Sequence, residues 1–267
     1  MTSLLDRLPS PLDTDAELAI EPLGEELDSL SPIRFWARPV LGLLVGVPLV
    51  VYSFYYAATH DTTQIQFDLF WLGILAFAGP AVVRALSSRA TPAQRWALIA
   101  AVGAWDFFPK FLRNPGSPLY ADELAHYRQV VQVTDSHHLY PTNYLLPIIR
   151  VFPGQQALVS ALHAVTGLSI WTIAELTLVV FHVAAVVGVM ALAARLTGSY
   201  RAAAIAALVF TTAANFMFFD SQFSYESFAL PMVIWTLVAV VHATGRGEGP
   251  RSRWAWVGVG AVTTAAT

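Results

Sequence analysis

The chain has 267 residues, of which 56% are hydrophobic and only 12% charged, whereas a soluble domain usually carries about 25% charged residues. That apolar mass exceeds what the polar surface of a soluble fold can cover, which excludes an ordinary water-soluble globule and makes a lipid bilayer the expected solvent. With 15 basic against 18 acidic residues the formal net charge is -3, so the basic surplus of a nucleic-acid binder is missing, and zero cysteines exclude disulfides and thiolate chemistry. Lys110 is the only lysine, and the arginine- and alanine-rich composition points to a GC-rich bacterial genome.

In chain order, residues 1–32 hold eight acidic residues, a single base at Arg7, several prolines and no apolar period, the pattern of a disordered acidic tail. They lack the basic start and apolar stretch of a signal peptide, so insertion is expected to begin at the first apolar block. Apolar blocks follow at about 37–58, 67–86, 95–112, 171–194, 202–219 and 226–243, with a partial one at 254–267. Each of the six is close to the ~20 residues with which a helix crosses the hydrocarbon core. The last would rise only ~21 Å as a helix, so the chain reads as an amino-terminal fragment cut inside its seventh span. The expected fold class is all-α, a polytopic transmembrane helical bundle over residues 33–267.

Arg34, Arg38, Arg84, Arg89, Arg95, Arg195, Arg201, Arg246, Arg251 and Arg253 all border the same side of these spans. The positive-inside rule then places the amino terminus in the cytoplasm and the long loop at 113–170 outside it, in a bacterial inner membrane. This loop is the most polar stretch beyond the tail, and function is sought there first. Asn114-Pro115-Gly116-Ser117-Pro118 breaks the chain after the third span. A helix is expected from Tyr120 to Val133, with Leu124, Tyr127, Val130 and Val131 on a membrane-facing side and Asp122, Glu123 and His126 turned elsewhere.

In that helix Asp122 and His126 are i,i+4 neighbours and Glu123 is i,i+3 to His126, so they can converge as a general base or a divalent-cation site. Alternatively the acids merely complement the helix dipole. Asp135, His137 and His138 read as turn residues. QQALVSALHAVTG reads as a second interfacial helix stopped by Gly167. Asp106 with Lys110 is either a functional charge pair at membrane depth or a neutralising one, and Glu175 and His182 share a face directed into the bundle. The segment from Asp220 to Glu226, including Tyr225, forms either a second polar wall or a tight turn.

YADELAHYR after a transmembrane helix, then LLPIIRVFPGQQALVSALHAVTGLS, then FFDSQFSYESFALP at the next outer turn resemble, in order and sidedness, the polytopic GT-C glycosyltransferases. The likeness is to bacterial relatives of the protein O-mannosyltransferases and aminoarabinose transferases, and covers roughly residues 100–245. It implies transfer of a sugar from a polyprenyl-phosphate-sugar donor to a glycan, lipid or protein acceptor outside the cytoplasm. It further implies that an outer-loop acid is the catalytic base or a metal ligand, for which Asp122, with Glu123 beside it, matches best. Arg128, Arg113 and Arg150 are the outer guanidiniums suited to the departing phosphate; His126, Asp220, Tyr225 and Glu226 complete the expected substrate contacts. The chain departs from the family in having two spans ahead of the one leading into the loop. The rival readings are a transporter or flippase, in which Asp106, Lys110, Glu175 and His182 form a midplane pathway, and a noncatalytic assembly subunit.

Overall fold

The computed structural model describes residues 32–61, 63–245 and 250–266, and these are all-helical, without strands. The expected acidic tail lies outside them except for Pro32, which opens the first helix. The helices are α1 (Pro32–Thr59), α2 (Thr63–Leu86), α3 (Pro92–Arg113), α4 (Ala121–Ser136), α5 (Gly154–Thr166), α6 (Ile170–Thr197), α7 (Tyr200–Thr211), α8 (Ala214–Phe218), α9 (Tyr225–Thr244) and α10 (Pro250–Ala266), with a 3-10 turn at Pro147–Val151. Four of them, α1, α2, α6 and α9, are long and apolar enough to cross a bilayer. They place the chain in a membrane environment.

Local signals set the helix ends. Thr91 accepts from the Gln94 amide while Gln94 Oε1 accepts from the Thr91 amide, a reciprocal cap that starts α3. Ser169 accepts from the Thr172 amide to start α6, and Gly167, at φ 72°, takes the left-handed conformation that stops α5. α1 and α2 pack as a hairpin whose backbones touch: a methyl group on Gly42 would strike the Ala76 carbonyl oxygen, and one on Gly46 would lie 2.7 Å from the Gly73 carbonyl oxygen. Small residues thus supply the close approach that association in lipid requires.

α3 packs between this hairpin and α6, which also carries α7 and α9. Phe77, Leu98, Ile99, Val102, Trp105, Val186, Met190 and Phe216 belong to one buried core, and Phe107, Val130, Val159, Trp171, Leu178 and Phe223 to a second, nearer the loop. At the opposite end Arg84 donates to the Arg34 carbonyl and Arg95 to the carbonyls of Ala85 and Ser87.

Two expected spans take a different form. The 95–112 block falls on α3, whose last two turns carry Asp106, Lys110 and Arg113, and which is not among the four apolar helices. The 202–219 block is broken: α7 has only 12 residues, about 18 Å of helix, and the chain resumes as the five-residue α8. Phe216 of α8 stacks on His182, near the middle of α6, with ring centroids 4.1 Å apart. The 212–224 segment therefore runs back along α6 at membrane depth, which irregular backbone tolerates only where protein covers it.

Candidate functional site

Two charged clusters lie one above the other between α3 and α6. In the first, on the loop side, Lys110 Nζ is 2.9 Å from both Glu123 Oε1 and Glu175 Oε1. Glu123 is completely buried. Its Oε2 accepts from the amides of Leu119 and Tyr120 and from Asn114 Nδ2, and its Oε1 also accepts from the Phe223 amide. Trp171 donates to the Asn114 carbonyl, and Lys110 lies 5.4 Å over the Trp171 ring. One carboxylate thus joins α3, the following turn, α4 and the turn before α9.

The buried side of α4 holds Glu123, Ala125, His126, Gln129, Val130 and Val133, so Val130 leaves the expected membrane-facing side while Leu124 stays half exposed. The polar side turns inward because Lys110 and four N–H donors compensate the burial of Glu123. Lys110 accordingly pairs across helices rather than with Asp106.

In the second cluster, Asp106 Oδ2 lies 3.3 Å from His182 Nε2, and Asp220 Oδ2 lies 3.9 Å from His182 Nδ1. The imidazole, 1% exposed, is held between two carboxylates and against the Phe216 ring. His182 Nδ1 and Asp220 Oδ2 are both buried without a hydrogen-bond partner.

A groove of about 1470 Å³ opens beside these clusters between α2, α3 and α7, larger than the roughly 300–1,000 Å³ that holds a small ligand. Its α2 wall runs from Gln64 through Phe67, Trp71, Ile74, Ala78 and Val82 to Leu86, about 33 Å of helix. Among the described residues its ionisable lining groups are Asp106, Lys110, Arg113 and Tyr120, all toward the loop end, and Arg113 lies 5.5 Å over the Tyr120 ring. The cavity is a long apolar trough with charge at one end.

The expected site residues separate into three groups. Glu123 and Asp220 are buried in the two clusters, and Arg113 lies in the groove. His126 is buried against Gln156, whose Nε2 is 3.1 Å from its Nδ1, and its ring lies 5.4 Å from that of Tyr225, which in turn stacks on Phe152. Burial holds the His126 imidazole down at about 4. Asp122, Arg128, Arg150 and Glu226 are exposed. Asp122, Glu123 and His126 do not converge, and among the described residues no three His, Cys, Asp or Glu side chains gather as a metal site.

Comparison with family models, curated proteins and solved structures finds no match. The site is therefore read from its own geometry. Two features escaped the sequence reading. The groove face of α2 recurs at Phe67, Phe70, Trp71 and Ile74, a helical spacing visible in the sequence yet indistinguishable from a lipid-facing stripe. Asn114, taken only as part of a turn signal, fixes Glu123 and Trp171.

Proposed function

We propose that the chain is a GT-C-like membrane glycosyltransferase module that lays the polyprenyl tail of a phosphate-linked sugar along the groove and transfers the sugar to an extracytoplasmic acceptor. The observation supporting this reading is the groove itself, apolar along α2 for about the thickness of a hydrocarbon core and charged at its loop end. Arg113, exposed over the Tyr120 ring, is the guanidinium placed to take the phosphate bidentately, since Lys110 is already held by Glu123 and Glu175. Of the three arginines named from sequence, Arg113 alone lines the groove.

The test is transfer of radiolabelled sugar from a panel of polyprenyl-phosphate donors in membranes carrying the protein, beside photo-crosslinking with a polyprenyl-phosphate probe. Transfer by wild type, with crosslinks on α2 that Arg113→Ala weakens, is the expected result. No crosslink in the groove and no transfer from any donor overturns it. The transporter reading is favoured by one observation, the break between α7 and α8 that brings irregular backbone to membrane depth beside Asp106 and His182. Donor-dependent flux across liposomes without sugar transfer would establish that reading instead.

A further inference from the structure

The second cluster has the layout of a path rather than of a strut. Asp106 lines the groove, and its side chain is 14% exposed there. His182 lies behind it, inaccessible, and Asp220 lies behind His182 in the turn that continues to the exposed Glu226. The two ring nitrogens thus address carboxylates on opposite sides. This is also why the three do not form a metal site: their donors point along a line instead of toward a common centre. His182 Nδ1 and Asp220 Oδ2 lack any other partner, and a buried pair of that kind is expensive unless a proton joins it.

We propose that Asp106, His182 and Asp220 form a proton relay from the groove to the loop side of the membrane, with Asp106 as the group that takes a proton from the sugar acceptor. This rests on the groove being the donor site. In the step, the acceptor O–H bond breaks and its proton goes to the Asp106 carboxylate, while the oxygen keeps the electron pair and forms the new bond to the sugar carbon. The sugar–phosphate C–O bond breaks with its electron pair leaving on the phosphate. Asp106 then gives its proton to His182 Nε2 as the Nδ1 proton passes to Asp220 Oδ2, so one proton enters and one leaves the imidazole. Protonated Asp220 releases it to water beside Glu226.

The 3.9 Å gap between Nδ1 and Oδ2 must close to about 3 Å for that second transfer. Both atoms have room in their bonding for it, since neither is engaged elsewhere. The groups that face His182 are Asp106 from α3 and Asp220 from the turn before α9; Lys110 and Glu175 lie one and two turns toward the loop and are engaged with each other and with Glu123. Lys110 is thereby kept off Asp106.

His182 can be read without any donor. In protein reconstituted in nanodiscs with 15N-labelled histidine, its two ring resonances, assigned by their loss in His182→Gln, should shift in Asp106→Asn and again in Asp220→Asn. A His182 that responds to Asp106→Asn but not to Asp220→Asn overturns the relay. Should Asp220→Asn fail to fold, Asp220→Glu still decides: it keeps the carboxylate at a changed distance, so both His182 ring resonances should shift, and unshifted resonances refute the relay. In the transfer assay, Asp220→Glu should retain sugar transfer and Asp220→Asn should lose it. Loss of NMR coupling sinks the relay and leaves the glycosyltransferase reading standing; intact coupling with no transfer from any donor sinks the glycosyltransferase reading and with it the role of Asp106 as base.

Discussion

The two clusters between α3 and α6 use the same residue types to opposite ends. Around Glu123 both carboxylate oxygens are engaged and the ammonium of Lys110 is shared with Glu175, so the charges hold four segments in register. Around His182 the ring nitrogen and the facing carboxylate oxygen are left unjoined, and one end opens into a groove. Five donors converging on one carboxylate mark the first as architecture, although Glu175 Oε2 and Asn114 Oδ1 there also lack partners; the second is set apart by an imidazole standing between two carboxylates, with one side unjoined and the other reaching the groove. The comparison breaks if variants of the first cluster prove stable, or if those of the second prove merely unstable.

The largest effect is expected from Lys110→Met. It strands two buried carboxylates, and removing one partner of a buried pair typically costs about 3–5 kcal/mol. Glu123→Gln should follow closely, because its amide nitrogen can only donate, and it would face three donors in the place of Oε2 or two in the place of Oε1. Thermal unfolding in detergent, read by size-exclusion fluorescence, should show both variants melting well below wild type. Asp106→Asn, in contrast, should melt near wild type and still lose sugar transfer. Equal stability in all three would dissolve the distinction.

A smaller effect, read through pH, comes from His126. Its folded value near 4 lies below the ordinary 6.5, so the fold prefers the neutral ring and the stability it adds is present above about 6.5 and is lost as pH falls toward 4. Melting between pH 7 and pH 4.5 should decline in wild type and less steeply in His126→Gln, whose amide can keep a hydrogen bond to Gln156.

How much of this was legible follows from what each signal measures. Blocks of apolar residues located α1, α2, α6 and α9 because length and hydropathy are what a bilayer selects. They misjudged 202–219, where hydropathy stays high while Thr212 and Ala213 let the helix end, and burial of the returning segment against His182 is a tertiary event. Spacing on α4 found the helical period and turned Glu123 and His126 away from the membrane side, but it put buried Val130 on that side and could not show where the acids go, since the partner that makes Glu123 buriable is Lys110, on another helix. Glu175 and His182 were legible as inward-facing by rarity alone. Their partners were not, because pairing across 65 or 76 residues leaves no local pattern.

The smallest expected effect is the one that bears most directly on the sequence reading. Resemblance implies Asp122 as the base, whereas the fold leaves it exposed in the first turn of α4, and Asp106 is the carboxylate in the groove wall. Asp122 contributes to the helix N-terminus, worth about 0.3–1 kcal/mol at an exposed site. If Asp106 takes the proton, Asp122→Asn should change transfer less than twofold and leave the pH profile in place, while Asp106→Asn loses a general base worth about 10²–10⁴-fold. If Asp122→Asn is instead the inactive variant and Asp106→Asn turns over, the chemistry sits on the outer loop and the groove holds only the lipid tail. The two single variants, assayed at equal membrane content, exchange places under the two hypotheses, which makes the weaker effect the sharper measurement.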